Sequence, residues 1–168
     1  MSLTNEQLPT LKTAIDAETD PAFVSLRDIG ATQEMANWFN VTSFPDYYVW
    51  KTLLTETDIV SLVSTDATTW SWVDYIATSV AEKMAWERIF NGTYSINPSL
   101  PQVRDGIAQI FSGPQGANQR AHLLAMGKRL ATKAEQLYAT GSGTSESPST
   151  MDFEGNLTNT DIARALLV

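Results

Sequence analysis

Apolar residues recur at helical spacing along most of the chain, and this predicts a mainly α-helical fold. Near the N-terminus, Leu8, Leu11 and Ile15 follow each other three or four residues apart, as on one face of a helix. Asp20 followed by Pro21 is a typical helix start, with the aspartate as N-cap and the proline in the first helical position. We therefore expect a first helix from about Asn5 to Ala17 and a second, short helix that ends at Gly30.

Two capping-box sequences predict helix starts in the middle of the chain: TETD at 55–58 and SVAE at 79–82. The helix that begins at the SVAE sequence is expected to end at Asn91-Gly92. Between them, the aromatic alternation of WSWVDYI at 70–76 has two interpretations. It fits a strand of a small β-hairpin near 68–78, and it equally fits the start of a helix.

The segment 117–139 carries apolar residues at helical spacing over about six turns, and this predicts the longest helix of the protein. Gly127 and several alanines within it suit close helix packing. The expected fold is a helical bundle with one long helix in its C-terminal half.

Residues 141–149, GSGTSESPS, have the composition of a flexible linker. Met151 and Phe153 follow as apolar residues that could dock it. A final short helix begins at Thr158 and carries Leu166 and Leu167 at its end. We therefore predict an α-helical domain over residues 1–140 and an extended, flexible arm over 141–168 that ends in the short helix.

Composition narrows the possible functions. The chain has 168 residues, 43% of them hydrophobic, and no cysteine, which excludes disulfides and thiolate chemistry. It has no apolar run long enough to span a membrane, and its N-terminus lacks the pattern of a signal peptide. The net charge of −8 argues against general nucleic-acid binding, which needs a basic face.

Charge is unevenly distributed along the sequence. Residues 1–103 hold 13 acids and 5 bases, whereas residues 104–168 hold 6 of each. Four of these bases fall on the predicted long helix: Arg120, Lys128, Arg129 and Lys133. They form either a solvated helix face or a surface that steers an acidic neighbouring subunit.

Candidate catalytic groups are sparse. His122 is the only histidine, and we expect it on a helix surface or in an interface. We expect the protein to have no catalytic residues, no metal ligands and no cofactor site. Six aromatic residues could form a sugar-binding surface, although such residues more often lie in a core or a subunit interface. They are Tyr47, Tyr48, Trp50, Trp70, Trp72 and Tyr75.

Several segments resemble small structural proteins of tailed bacteriophages, encoded near the major capsid protein. The resembling runs are VRDGIAQIFSG at 103–113, ATKAEQLYATG at 131–141, PSTM at 148–151 and FEG at 153–155. The aromatic run YYVWK at 47–51 and the spacer NPS at 97–99 belong to the same pattern. The resemblance covers about residues 45–155 and is weakest over 64–78.

The resemblance implies a head–tail connector, also called an adaptor or head-completion protein, and no enzymatic activity. Such proteins form a homo-oligomeric ring, typically a dodecamer, in the neck of the virion after synthesis in the bacterial cytoplasm. The ring binds the portal and a downstream neck or tail protein, and DNA passes through it without sequence-specific binding or contact with a membrane. Portal contacts are then expected at Met151, Phe153, Leu166 and Leu167, and ring contacts at Arg120, Lys128, Arg129 and Lys133.

Three alternatives remain open at this point. A tail-completion or capsid-decorating protein would also belong to the virion. A small carbohydrate-binding or hydrolytic module would use the aromatic residues. A helical regulatory protein that binds a host factor would never enter particles.

Overall fold

The computed structural model of the protein describes residues 2–90 and 95–168, and these form ten α-helices and three two-stranded sheets. About 52% of the described residues are helical and 10% are in strands. The helices are α1 Leu8–Ala17, α2 Pro21–Asp28, α3 Thr32–Phe39, α4 Glu56–Ser61, α5 Trp72–Ala77, α6 Val80–Phe90, α7 Pro101–Ile110, α8 Ala117–Met126, α9 Lys133–Leu137 and α10 Asn159–Ala165. The strands are β1 Tyr48–Trp50, β2 Leu54–Thr55, β3 Ser95–Ile96, β4 Lys128–Leu130, β5 Ala139–Thr140 and β6 Thr150–Met151, and β1 pairs with β4, β2 with β3 and β5 with β6.

The chain divides into two compact units. Unit 1 comprises Met1–Tyr48 together with Leu130–Val168, and unit 2 comprises Val49–Arg129. Unit 2 is therefore inserted, in sequence, between two segments that fold together as unit 1.

Unit 1 is built on helix packing between its two segments. Helix α10 from the C-terminal segment packs against α1 and α3 from the N-terminal one. Leu11, Phe23 and Ile162 are fully buried in the shared core. The Phe23 ring lies 5.5 Å from the Phe39 ring in an edge-to-face arrangement, which is favourable for aromatic pairs.

A buried carboxylate joins the two ends of unit 1. The Asp161 side chain accepts hydrogen bonds from the Ser2 hydroxyl (2.7 Å) and the Leu3 amide (2.9 Å). It also accepts from the Thr158 hydroxyl (2.7 Å) and amide (3.0 Å), so it completes the capping box that starts α10. One side chain thus begins a helix and holds the N-terminal residues against it.

Unit 2 has a separate core in which α4, α6, α7 and α8 meet. Ile59, Phe111 and Leu123 are almost completely buried there, next to Trp86. The β2–β3 ladder pairs Leu54 with Ile96 and supports the start of α4.

The prediction of a helical bundle with one long helix is wrong. Helix α8 ends at Met126, β4 follows, and a new helix begins at Lys133. The backbone in between is paired with the chain around β1: Lys51 N donates to the Gly127 carbonyl (2.7 Å) and Ala131 N to the Tyr47 carbonyl (2.8 Å). These hydrogen bonds use groups that a continuous helix would need.

The prediction of an extended, flexible arm is also wrong. Tyr48 N donates to the Gly143 carbonyl (2.7 Å), and Ser149 N donates to the Tyr48 carbonyl (2.9 Å). Farther on, Phe153 and Leu157 are buried in the core of unit 1. The glycine and serine residues of this segment make turns and close contacts, so their abundance does not indicate flexibility here.

A helix begins at Trp72 within the segment 70–76, with Ser71 as its N-cap, so the β-hairpin near 68–78 is wrong and the interpretation as a helix start is correct. The capping boxes at 55–58 and 79–82 and the Asp20-Pro21 helix start are confirmed by their hydrogen bonds. The predicted helix end at Asn91-Gly92 lies outside the described residues.

We predict that Gly143→Ala lowers the free energy of unfolding by about 2–4 kcal/mol. Gly143 has φ +67°, and an added Cβ would lie 2.2 Å from the Tyr47 ring. Gly30→Ala is the matched control, because Gly30 has φ +68° and open space around its Cβ direction. It should cost only about 1 kcal/mol. Equal losses for the two variants in urea denaturation would contradict the packing of this segment on Tyr47.

We predict that Asp161 makes unit 1 sensitive to acid. Burial alone raises the pKa of the Asp161 carboxyl, but the hydrogen bonds from Ser2, Thr158 and Leu3 outweigh burial and hold the pKa below its ordinary value of 3.8. The stabilisation is therefore complete above that value and is lost as the pH falls through the lowered pKa.

Asp161→Asn should lower the free energy of unfolding at neutral pH by roughly 2 kcal/mol and flatten its decline in acid. Asp152→Asn replaces an exposed acid of the same segment and should change neither quantity. Urea denaturation at a series of pH values measures both effects. A decline in acid that Asp161→Asn leaves unchanged would show that another group is responsible.

Candidate interaction surface

Helices α5 and α6 of unit 2 present an apolar surface to solvent, which we call the α5–α6 face. Its five side chains are between 56% (Trp72) and 79% (Val73) exposed. They are Trp72, Val73, Ile76, Val80 and Met84. A group of exposed apolar residues of this size is often a site of association.

Hydrogen bonds fix α5 in place. The Ser71 hydroxyl caps the helix by accepting from Asp74 N (3.2 Å), and the Ser71 carbonyl accepts from the Gln119 amide of α8 (3.0 Å). The Asn118 amide donates to the Asp74 carboxylate (2.7 Å). Helix α5 is only six residues long, so these contacts with α8 are needed to hold it.

The start of α6 is held by the capping box of Ser79 and Glu82. Ser79 N donates to the Glu82 carboxylate (2.7 Å), and Glu82 N donates to the Ser79 hydroxyl (3.2 Å). Hydrogen bonding from the Ser79 side chain, and then from its backbone, lowers the pKa of Glu82 below its ordinary value of 4.5. The Lys83 ammonium donates to the Ile76 carbonyl (2.6 Å) and so ties the end of α5 to α6.

An aromatic cluster lies beneath the α5–α6 face. The buried rings of Trp70 and Trp86 stack 4.9 Å apart, and Tyr75 lies 5.4 Å from Trp70. Trp86 also packs against Phe90 and Phe111. Helix α6 therefore buries Trp86 and Phe90 on its inner side, whereas α5 contributes the half-buried Tyr75. The exposed Trp72 ring lies 5.8 Å from the rings of both Trp70 and Tyr75, at the edge of the cluster.

The two units differ in charge. Unit 1 holds 12 acidic and 4 basic residues, so it carries the whole net charge of −8, whereas unit 2 holds seven of each. The charged residues of α6 are balanced as well: Glu82, Lys83, Glu87 and Arg88. The apolar surface thus lies on a unit without net charge.

His122 is buried in unit 2, contrary to the expectation of a surface or interface position. Its Nδ1 lies 2.8 Å from the Thr68 hydroxyl and its Nε2 lies 2.8 Å from the Ile59 carbonyl. Both ring nitrogens therefore bind groups of the surrounding loop and helix. Within the described residues, no three His, Asp or Glu side chains come together as a metal site would require.

The four residues expected to contact a portal have different environments. Phe153 is buried and packs edge-to-face against Tyr138, with ring centres 5.6 Å apart. Met151 in β6 and Leu166 after α10 are half-buried, and Leu166 packs on the core of unit 1. Leu167 is 86% exposed and is the one of the four that is fully available at the surface.

The four bases expected to make ring contacts do not share one helix. Arg120 on α8 donates to the Phe111 carbonyl, and Lys128 on β4 is buried and forms an ion pair with Asp66 (2.6 Å). Arg129 also lies on β4 and is half-buried. Lys133, on α9 of unit 1, lies over the Trp38 ring at 4.4 Å. Their roles as contacts stay predictions.

The sequence did contain a signal for the α5–α6 face. Val80 and Met84 are apolar and lie four residues apart on the helix that the capping box at 79–82 predicts. Trp86 and Phe90, also four residues apart, lie in the core of unit 2. A helix with two apolar stripes carries more apolar surface than one core can cover.

Among the six aromatic residues considered for sugar binding, Trp72 is the one with a ring more than half exposed. Trp70 is buried, and the Arg104 guanidinium covers the Trp50 ring at 4.5 Å. The set therefore does not form an open platform of rings.

No family model, curated protein or solved structure matches this chain. None of the helices in the described part of the chain is both long and apolar enough to cross a membrane.

We predict that the buried and exposed tryptophans differ sharply in their effect on stability. Trp86→Ala should lower the free energy of unfolding by about 3–5 kcal/mol, because it removes the ring that joins Trp70, Phe90 and Phe111. Trp72→Ala should cost about 1 kcal/mol. Chemical denaturation of both variants measures the difference, and a large loss for Trp72→Ala would mean that its ring belongs to the core.

Proposed function

We propose that this protein is a structural virion protein of a tailed bacteriophage, a head–tail connector that forms a ring below the portal. It acts by binding: one surface holds neighbouring copies, and others hold the portal and the next neck or tail protein. The observation that carries the proposal is the α5–α6 face, an apolar association surface on a unit whose own core is already complete.

The charge difference between the units supports this proposal. A connector contacts chemically different neighbours and also surrounds a passage for DNA. A unit with a net charge of −8 repels phosphate, whereas a neutral unit can meet protein surfaces without a net electrostatic penalty. A protein with both kinds of unit suits such a position.

The resemblance to phage neck proteins gives the second support. Its runs coincide with structural elements: 103–113 with α7 and the following turn, 131–141 with α9 and β5, and 148–155 with β6 and the buried Phe153. Several of the resembling residues, Phe111, Tyr138 and Phe153 among them, are therefore buried and serve packing.

Native mass spectrometry of the full-length protein, alone and mixed with the portal protein of the same genome, tests the proposal. We expect a defined ring, alone or on the portal. Leu167→Glu should weaken the portal complex and leave the ring intact, because Leu167 is exposed and lies near the C-terminus. Ile29→Glu alters a similarly exposed residue of unit 1 and serves as the control.

A stable monomer that binds neither the portal nor any capsid component would contradict the proposal. Binding to the capsid shell in place of the portal would favour the decorating alternative. Binding to a glycan array that Trp72→Ala abolishes would favour the carbohydrate-binding one.

A further inference from the structure

We infer that the α5–α6 face is covered by unit 2 of a second copy of this chain. This inference deepens the proposed function and rests on it, since it names the partner of the association surface. It goes beyond the proposal in assigning the contact between copies to particular side chains, none of which is among the bases expected to make ring contacts.

The outward side chains lie at helical spacing within each helix, Trp72 and Val73 with Ile76 on α5 and Val80 with Met84 on α6. Lys83 lies one helical turn from Val80, and its ammonium is bonded to the Ile76 carbonyl. This hydrogen bond brings the exposed end of α5 next to the exposed start of α6, with only Thr78 and Ser79 between the helices.

The size of the patch is that of an interface. Five large side chains exposed by more than half present apolar area on the order of 500 Å². One partner in a typical stable interface contributes about 800 Å², including a polar rim. A tryptophan and a methionine at the patch match the side chains that are enriched at interface centres.

Charge selects the second copy as the occupant. Unit 2 holds equal numbers of acids and bases, so two copies of unit 2 can approach without net repulsion. Unit 1 carries all of the net charge, and two copies of unit 1 would repel each other at short range. Glu87 and Arg88 are adjacent and both exposed, so they give the surface of α6 both signs of charge, and a second copy offers complementary partners along the rim.

The same charges disfavour other occupants. A surface that binds nucleic acid needs more lysine and arginine than acidic residues, because these side chains replace the counterions of the phosphates. Helix α6 holds two bases and two acids, so it has no such excess. An anionic lipid surface likewise selects helices with a basic polar face beside the apolar one. A protein of another kind that binds this face is an outcome of the test below.

Two substitutions of opposite charge test the inference. Val80→Glu places an acid in the first turn of α6, and Ile76→Lys places a base in the last turn of α5. Both charges are favourable at those helix ends, so both variants should fold. Each should abolish the oligomer in sedimentation velocity and native mass spectrometry, whichever sign of charge it introduces.

Leu53→Glu is the matched control. Leu53 belongs to unit 2 and is 63% exposed, close to the 65% of Met84, but it lies outside both helices. This variant should assemble like the wild type. Oligomers that survive both Val80→Glu and Ile76→Lys would overturn the inference, as would equal loss of assembly in Leu53→Glu.

A chemical probe tests the inference if the free protein is a monomer and its copies contact each other only when they are bound to the portal. The chain has no cysteine, so Met84→Cys introduces a single thiol. We expect rapid alkylation of the free protein and loss of alkylation in the assembled state. A thiol that stays reactive in the assembly, or that is protected by an unrelated protein without a second copy present, would contradict the inference.

The two proposals fail in different ways. Variants that stay assembled through another surface and still bind the portal would remove this inference and leave the connector proposal standing. Oligomers that depend on the α5–α6 face but bind no portal or neck protein would support this inference and contradict the connector proposal.

Discussion

The packing of unit 1 depends on the carboxylate of Asp161. It accepts hydrogen bonds from both ends of the chain, and it is completely buried, so removing either set of donors leaves an expensive charge in a dry environment. Because α10 begins at this residue's capping box and packs on α1 and α3, the core of unit 1 can close only when the C-terminal segment is in place. The last 28 residues are therefore a structural part of the unit.

Closure of unit 1 in this way affects what the C-terminal segment can do. Phe153 and Ile162 are used in the core, and any partner reaches this end of the chain through Leu167 and its neighbours. By contrast, α5 and α6 have an aromatic core behind them and a second apolar side in front. Association is therefore most favourable on unit 2, because burying its exposed apolar side chains is favourable and the unit has no net charge to oppose the approach of a partner.

Local signals predicted the helix starts well. The capping boxes at 55–58 and 79–82, and Asp20 before Pro21, need only neighbouring residues to form, so the sequence shows them directly. The break in the predicted long helix depends on Gly127 and Ala131 pairing with a chain segment about 80 residues away. The order of residues 141–149 likewise depends on the Tyr47 ring, which lies nearly 100 residues earlier in the sequence. Long-range pairing of this kind has no local pattern.

The candidate site shows the same limit. Apolar residues on both sides of α6 could be recognised from spacing, but which stripe faces the core depends on where Trp70 and Phe111 pack. The four bases were placed on one helix because the pattern of 117–139 continued across Gly127, and they separate once that helix is broken.

The central claim is that this chain is an assembly component of the virion neck. Its copy number relative to the portal protein in purified particles, measured by quantitative mass spectrometry, tests that claim most directly. The account predicts equal numbers of the two proteins, as expected for a ring matched to the portal. Absence from particles, or an excess that follows the major capsid protein, would contradict it.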